Sequence, residues 1–109
     1  MAIATTAQAA RCDPALRAAC DLLCHKWTLV VVAALADGPQ CFGELARTCG
    51  TISPRTLCLR LRTLEQHGLV RRVHPDGCKR SRYTLTARGA ALRPLLTQLE
   101  RYAACWLLV

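Results

Sequence analysis

The chain has 109 residues, the length of one domain, and this is enough for a modest hydrophobic core. It carries 15 Lys and Arg residues against 7 Asp and Glu, so its formal net charge of +8 indicates an acidic partner. The longest apolar run, Trp27 to Ala36, is far shorter than the roughly 20 residues of a membrane-spanning helix, so no membrane association is expected.

An N-terminal tail over residues 1–11 is expected to be disordered. It lacks the basic and apolar regions of a signal peptide, which favours a cytoplasmic protein. Asp13 and Pro14 then form a typical helix start, a capping side chain followed by proline at the first helical position. We predict a helix from there to about Cys24. The residues expected to be buried by this helix are Leu16, Ala19, Cys20 and Leu23.

Three further helices are predicted in the next part of the chain. "KWTLVVVAALADG" is apolar nearly all round and is followed by a Gly-Pro pair, so it should be the central core helix. "CFGELARTCG" predicts a short third helix with Phe42 and Leu45 facing inward. Ser53 and Pro54 begin a fourth helix, which Gly68 ends. Its segment "LCLRLRTL" also alternates like a strand, but the start and stop signals around it are those of a helix.

The pattern changes after the fourth helix. "LVRRVH" and "RSRYTLT" are rich in β-branched and aromatic residues, and the "PDGCK" between them has turn chemistry. We therefore predict a β-hairpin with basic strands. Thr86 should cap a last helix, which Pro94 either kinks or delays by a turn. One face of that helix is apolar and is formed by Leu92, Leu95, Leu96, Leu99, Tyr102 and Trp106.

These elements predict an α+β fold that is mostly α, a single winged helix-turn-helix domain over residues 12–109 with a two-stranded β-hairpin wing. In this fold the fourth helix lies in the DNA major groove, and the wing contacts the backbone or the minor groove. Residues 54–88 hold nine basic and two acidic residues, which is +7 of the net charge in a third of the chain. This concentration favours a phosphate backbone as partner, and a solubilising charged surface is the simpler alternative.

The fourth helix is predicted to provide most contacts to DNA bases. Leu57, Leu61 and Leu64 recur at helical spacing and should face the core, which leaves the opposite face for DNA. Its N-terminal half should contact base edges, and its later arginines should contact phosphates or guanine edges. Leu59 either contacts a thymine methyl group or is an exposed leucine without a role, and Arg62 is either a contact or a solvated charge. The predicted DNA-binding residues here are Ser53, Arg55, Thr56, Leu59, Arg60 and Arg62.

The predicted wing adds a second set of DNA contacts. Arg80 and Arg82 alternate with Ser81 and Tyr83, so both arginines should lie on one side of the strand. We expect them to contact phosphates or the minor groove, with Lys79 at the tip of the wing. Replacing both arginines with alanine should weaken binding to all sequences and flatten its salt dependence.

The chain contains 8 cysteines, and we expect free thiols rather than disulfides. The apolar content can form a core without disulfides, and a chain with no export signal is expected in a reducing compartment. There is no C-x-x-C pair and no H-x₃₋₅-H spacing, so neither a metal site nor a cofactor is predicted, although spacing alone leaves an iron–sulfur site open.

Four cysteines are candidates for redox sensing. Cys12 lies in the accessible segment before the first helix and could meet a cysteine of a second subunit. Cys24 precedes two basic residues, and Cys58 and Cys78 lie where modification would add bulk or charge at the DNA surface. A simpler interpretation is that cysteine replaces alanine or serine at these positions. Cys20 and Cys24 are four residues apart, where a disulfide would strain an intact helix, and Cys20 is expected to fill the core.

The motifs in their order resemble the HxlR-type regulators, winged-helix relatives of the MarR group in bacteria. The matching stretches are "DLLCHKWTLVVVAALADGP", "FGEL", "ISPRTLCLRLRTLEQHGLVRR" and "HPDGCKRSRYTLTARGAALRPLL". The resemblance implies a homodimeric transcription factor that binds a pseudo-palindromic operator, with the first and last helices, residues 12–24 and 87–109, forming the dimer. It also implies control by oxidation or alkylation of an N-terminal cysteine, a role that would fall to Cys12.

The predicted function is therefore a dimeric, sequence-specific transcriptional regulator controlled by cysteine oxidation or electrophile modification. The alternative is a winged-helix regulator that responds to a bound metal or small molecule. A module for protein contacts would leave the basic segment without a partner. An enzyme is not predicted, because no cysteine has a plausible base and orienting group and no phosphate loop or paired carboxylates occur, so no catalytic residues are assigned. The apolar end "YAACWLLV" favours a dimer over an end that folds back onto its own core.

Overall fold

The computed structural model describes residues 13–74 and 80–108, so the expected tail lies outside the described residues, as do Cys12, Cys78 and Lys79. The elements in chain order are helices α1 (Pro14–Leu23), α2 (Thr28–Ala36), α3 (Phe42–Cys49) and α4 (Pro54–Gln66), strands β1 (Val70–Val73) and β2 (Arg82–Leu85), and helices α5 (Ala87–Ala90) and α6 (Arg93–Tyr102). A π-helical turn, Ala103–Leu107, continues α6. The prediction of a mostly helical α+β fold with a two-stranded hairpin is confirmed.

The core is formed around α2, as its uniformly apolar sequence predicts. Val31 and Val32 are fully buried, and α3 and α4 pack onto this helix through leucines that are also inaccessible. Burial of such side chains is the main favourable term in folding. The largest fully buried side chains are Leu45, Leu57, Leu61, Leu64, Val31 and Val32.

Polar side chains fix the ends of the helices where the sequence predicted them. The Asp13 carboxylate accepts a hydrogen bond of 2.9 Å from the Ala15 backbone N–H at the start of α1. Thr86 caps α5 by accepting from the Gly89 N–H at 3.2 Å, and its hydroxyl donates to the Gly68 carbonyl at 2.5 Å. Gly89 cannot carry a side chain, because a Cβ there would overlap the carbonyl oxygen of Leu69.

The two strands of the wing pair antiparallel, with Val70 opposite Leu85 and Val73 opposite Arg82. A third segment joins this sheet, because Gln40 and Tyr83 exchange backbone hydrogen bonds of 3.0 and 2.8 Å. This bridge fixes the base of the wing to the connection between α2 and α3. This contact was not predictable from the residue pattern, since a single bridge leaves no alternation along the chain.

The prediction that α1 contributes to the core is wrong for the single chain. Leu16 is 56% exposed, Ala19 and Cys20 are also exposed, and α1 contains no buried residue. The reason is the connection between α1 and α2, which bends the two helices by 80° and contains Trp27 in the left-handed conformation (φ 81°). Only Leu22 of α1 packs against the core cluster.

The predicted interruption of the last helix by Pro94 is confirmed. The chain makes a turn at residues 91 and 92, and α6 restarts with Pro94 in its first turn. Leu92 and Leu96 pack against the core, while Trp106 is 72% exposed. The end of the described chain therefore does not fold back. The other exposed apolar residues of this part are Leu95, Leu99, Tyr102, Leu107 and Leu108.

Within the described ranges, no single helix is long and apolar enough to cross a membrane. The helices α1 and α2 reach that length and hydropathy only when taken together as a bent pair.

Candidate DNA-binding surface

Helix α4 presents two distinct faces, as its spacing predicts. Leu57, Leu61 and Leu64 are buried to 1% exposure or less, so the helix is held against the core along one side. The opposite side carries Arg55 and Arg62, both exposed. Leu59 lies between them and is 42% exposed. The structure thus places the outward predicted residues of α4 on one accessible surface.

The start of α4 is held by its own polar side chains. The Ser53 hydroxyl accepts a hydrogen bond of 3.1 Å from the Thr56 backbone N–H and donates to the Thr56 hydroxyl at 2.9 Å. Both residues lie next to the exposed face, yet their hydroxyl groups are engaged within the chain. Their first effect is to fix the direction in which α4 leaves the preceding loop.

Arg60 differs from the other predicted arginines of α4 because it is only half-exposed. Its Nε atom is buried and has no hydrogen-bond partner among the described residues. A buried donor of this kind normally finds a partner, so the side chain has an unsatisfied group beside the candidate DNA surface.

The two arginines of the wing lie on the same side, towards α3. Arg80 is exposed and lines a cavity of about 380 Å³ at the start of α3, together with Ser81 and Cys41. Arg82 is half-buried, and its Nη1 lies 3.3 Å from Oε1 of Glu44 in the first turn of α3. Tyr83, which points to the other side, is buried. The strand begins only at Arg82, and Ser81 lines the same cavity as Arg80, so the expected alternation is present for Arg82 and Tyr83 but not for residues 80 and 81.

Glu44 joins the wing to α3. Its carboxylate accepts a hydrogen bond of 2.9 Å from the Cys41 backbone N–H, and the Cys41 thiol accepts from the Glu44 N–H in return. These hydrogen bonds with Cys41, assisted by the charges of Arg82 and Arg47, hold the pKa of the Glu44 carboxyl below its ordinary value. Neither this capping box nor the pairing of Glu44 with Arg82, which partly neutralises the arginine, was predicted. The signal was a glutamate at the third position of a helix, where a capping box has one.

A second arginine, Arg72, also forms an ion pair that was not predicted. Arg72 of β1 pairs with Glu65 of α4 at 3.3 Å, and its guanidinium lies 5.3 Å from the ring centre of Tyr83. Arg72 and Tyr83 are directly opposite in the hairpin, which is the contact that a strand register would have predicted. Burial raises the pKa of Tyr83, and Arg72 opposes that rise.

The six cysteines in the described ranges are free thiols. Of the predicted sensing candidates, Cys24 and Cys58 are exposed. Cys20 is exposed as well, so its predicted role in the core is wrong, for the same reason that α1 stands away from the core. Cys105 near the end of the chain is a further exposed thiol, which was not among the predicted candidates. No group of three or more His, Cys, Asp or Glu residues suited to a metal ion occurs in the described part of the chain.

An exposed basic helix, positioned by a buried leucine stripe and flanked by a basic hairpin, is suited to a DNA groove and its phosphates. The fold and this surface define a winged helix-turn-helix DNA-binding protein. The chain belongs to the HxlR-like helix-turn-helix family, whose model matches residues 22–108. It is thus a helix-turn-helix transcriptional regulator, and its family is one of regulators rather than enzymes.

Similar proteins support this assignment in sequence and in structure. The chain is 40% identical over 88 residues to the HTH-type transcriptional regulator sll1512 of Synechocystis sp., covering 80% of this chain and 65% of that protein. It is 35% identical over 91 residues to the HTH-type transcriptional regulator YodB of Bacillus subtilis, covering 83% of this chain and 81% of YodB.

The reduced form of YodB is similar in structure, with a TM-score of 0.76 and 33% identity over 85% of this chain and 92% of that one. Structures of YodB bound to quinone and treated with diamide are also similar to this chain. The reduced form of the redox regulator HypR matches with a TM-score of 0.76 and 30% identity, covering 83% of this chain and 90% of that one.

Proposed function

We propose that this regulator binds a pseudo-palindromic operator as a homodimer in the cytoplasm, and that modification of its thiols changes its affinity for that operator. The observation that carries the DNA-binding part is the outward face of α4, where Arg55, Leu59 and Arg62 are exposed opposite the buried leucines. Bases are read through such a face in the major groove. The residues proposed to contact DNA are Ser53, Arg55, Thr56, Leu59, Arg60, Arg62, Lys79, Arg80 and Arg82.

Exposed apolar surface at the two ends of the chain supports a dimer. Trp106 and Leu108 are 72% and 81% exposed, and α1 leaves Leu16 in solvent. Contiguous apolar surface of this kind is typical of protein–protein contacts. We assign dimerisation to residues 12–24 and 87–109. A two-fold axis between two α4 helices would explain an operator with two related half-sites.

Exposed thiols support control by thiol chemistry. Cys58 lies on α4 beside the proposed DNA surface, where an adduct would add bulk, and Cys24 lies at the end of α1. Structures similar to this chain include YodB bound to quinone, YodB treated with diamide, and the redox regulator HypR in its oxidised form. The sensing candidates are Cys12, Cys24, Cys58 and Cys78, with Cys105 as an additional exposed thiol.

The decisive experiment measures binding of the full chain to DNA from upstream of its own gene, by fluorescence anisotropy with scrambled DNA as control. We expect binding of the natural sequence that is tighter than that of the scrambled one, and a change in affinity after diamide or quinone that dithiothreitol reverses.

Equal binding of natural and scrambled DNA would contradict operator recognition at that site. Unchanged affinity after diamide, quinone and peroxide would contradict thiol control while leaving DNA binding intact. Single Cys-to-Ser variants at positions 12, 24, 58, 78 and 105 then identify the sensing thiol, with Cys49→Ser, a buried position, as the control.

A further inference from the structure

Two exposed thiols lie side by side at the end of α1. Cys20 and Cys24 are four residues apart, and the helical hydrogen bond from the Cys24 N–H to the Cys20 carbonyl, 2.9 Å long, places them on the same side of the helix. Cys24 itself is the last residue of the helical hydrogen-bond pattern, with a backbone that has left the helical conformation (φ −92°, ψ 31°). Its side chain therefore has fewer helical neighbours than that of Cys20.

The Cys24 side chain also affects the Cys20 thiol. A hydrogen bond with Cys24, followed by the charge of Cys24, raises the pKa of Cys20. This agrees with the position of the two side chains on the same side of the helix. The pair is therefore a dithiol, and it lies outside the DNA-binding surface of α4 and the wing.

The geometry of this dithiol disfavours a disulfide. A disulfide requires Cβ atoms about 3.8 Å apart and an S–S bond of about 2.05 Å. Side chains four residues apart on a helix have Cβ atoms about 5–6 Å apart. A single bridging atom relieves this conflict, because the two sulfur atoms are then bonded to that atom and not to each other. Bonds of this kind are long, about 2.3 Å for zinc and a thiolate, so the two sulfur atoms stay well separated.

The number of available ligands restricts which atom can bridge the thiols. Zinc takes four protein ligands in structural sites, and no group of three or more suitable side chains occurs in the part of the chain that the structure describes. Thiolates prefer soft atoms. Trivalent arsenic that carries one organic substituent needs only two thiolates to complete its three bonds.

We infer that Cys20 and Cys24 form a binding site for thiophilic ligands of the trivalent organoarsenical class. With phenylarsine oxide, the two S–H bonds break and two As–S bonds form, and the oxygen of the reagent leaves as water with the two protons. Arsenic stays trivalent, so no oxidant or reductant is needed. With this site, the chain would be a regulator that responds to a bound ligand, and trivalent organoarsenicals are the ligand class. This proposal rests neither on operator binding nor on thiol oxidation.

The test uses the reduced full-length chain and phenylarsine oxide. Titration is followed by intact mass and by counting the remaining thiols, and peptide mapping locates the modified cysteines. We expect one phenylarsenic group per chain, two thiols lost, both at positions 20 and 24, and an adduct that survives excess 2-mercaptoethanol. The second As–S bond forms within the molecule, so Cys20→Ser or Cys24→Ser should weaken retention by about 100-fold or more.

Matched controls are Cys58→Ser and Cys105→Ser, which also remove exposed thiols and should leave retention unchanged. All four positions are exposed in the single chain, so folding should be preserved, and circular dichroism of each variant checks this. Positions 20, 24 and 105 lie in the segments assigned to the dimer, so sedimentation of these variants checks that a change in retention is not a change in association. The inference is overturned if Cys24→Ser retains the arsenical as well as the natural chain does, or if the adduct maps to other cysteines. Neither result bears on the diamide experiment, which measures operator affinity without an arsenical.

Discussion

The middle of this chain buries its large apolar side chains, whereas the two ends leave many of theirs exposed. In the middle, Val31, Leu45 and Leu61 are at most 1% exposed, and the packed elements come from the same chain. At the ends, α1 and α6 contain no buried residue, and Leu99 is 42% exposed. A globular domain buries most of its large apolar side chains, so the middle packs within its own chain while the ends leave apolar surface exposed, as the proposed dimer would require.

The largest expected effect comes from comparing one leucine of each region. Leu61→Ala should lower the free energy of unfolding by about 2–5 kcal/mol, because it leaves a cavity between α2 and α4. Leu99→Ala should have little effect at protein concentrations where the chain is monomeric, because Leu99 is already exposed. Urea unfolding at several protein concentrations measures both. Equal losses of unfolding free energy in the two variants under dilute conditions would show that the ends contribute as much as the middle to the stability of the single chain.

The second prediction concerns what the ends bind. If the exposed apolar surface forms the dimer, Trp106→Ala should weaken dimerisation by about 2 kcal/mol or more, which is roughly 30-fold, because buried tryptophans dominate interfaces. Sedimentation equilibrium measures the change. Leu59→Ala is the matched control, since Leu59 is as exposed as Leu99 but lies on α4. A weaker dimer in Leu59→Ala and not in Trp106→Ala would move the interface to the DNA-binding side.

A third prediction compares arginines of the two regions in DNA binding. Arg80→Ala should lower affinity for all sequences and reduce the slope of log affinity against log salt by about one, the loss of one phosphate contact. Arg82→Ala should have a smaller effect because Arg82 already pairs with Glu44. Arg101→Ala on α6 is the control and should leave the slope unchanged. A slope that changes with Arg101 and not with Arg80 would place the phosphate contacts at the ends of the chain.

Local signals in the sequence were enough for most of the fold. Asp13, Ser53 and Thr86 begin their helices as predicted, because capping depends on residues within one turn. The burial of Leu57 and Leu61 followed from helical spacing alone. The direction of α1 did not follow, because it depends on the connection over residues 24–27, where Cys24 leaves the helical conformation and Trp27 is left-handed without a sequence signature.

The candidate site was predictable in its positions but not in its pairings. Arg55 and Arg62 are exposed where the helical periodicity placed them, and Arg80 is exposed just before β2. The contacts of Arg82 with Glu44 and of Arg72 with Glu65 were missed, since they join elements that are distant in the sequence or depend on the strand register. Net charge counted along the sequence therefore overstates the charge available to DNA.

The smallest expected effect tests that pairing through its pH dependence. The pKa of Glu44 is lowered in the folded chain, so its ionised form stabilises the fold at pH values above its ordinary value of 4.5, and this contribution is lost as pH falls through the lowered pKa. Glu44→Gln keeps an oxygen that accepts from the Cys41 N–H but removes the charge. The natural chain should therefore be slightly more stable than the variant near neutral pH, and the difference should shrink below pH 4.5. Thermal unfolding of both chains across this range measures it.

The effect should be modest because Glu44 and Arg82 are both more than a third exposed and water screens the pair. A difference that grows with acidity would mean that the carboxylate at the base of the wing destabilises the fold, and that the joint between α3 and the wing rests on the neutral contacts of Gln40 and Tyr83 instead.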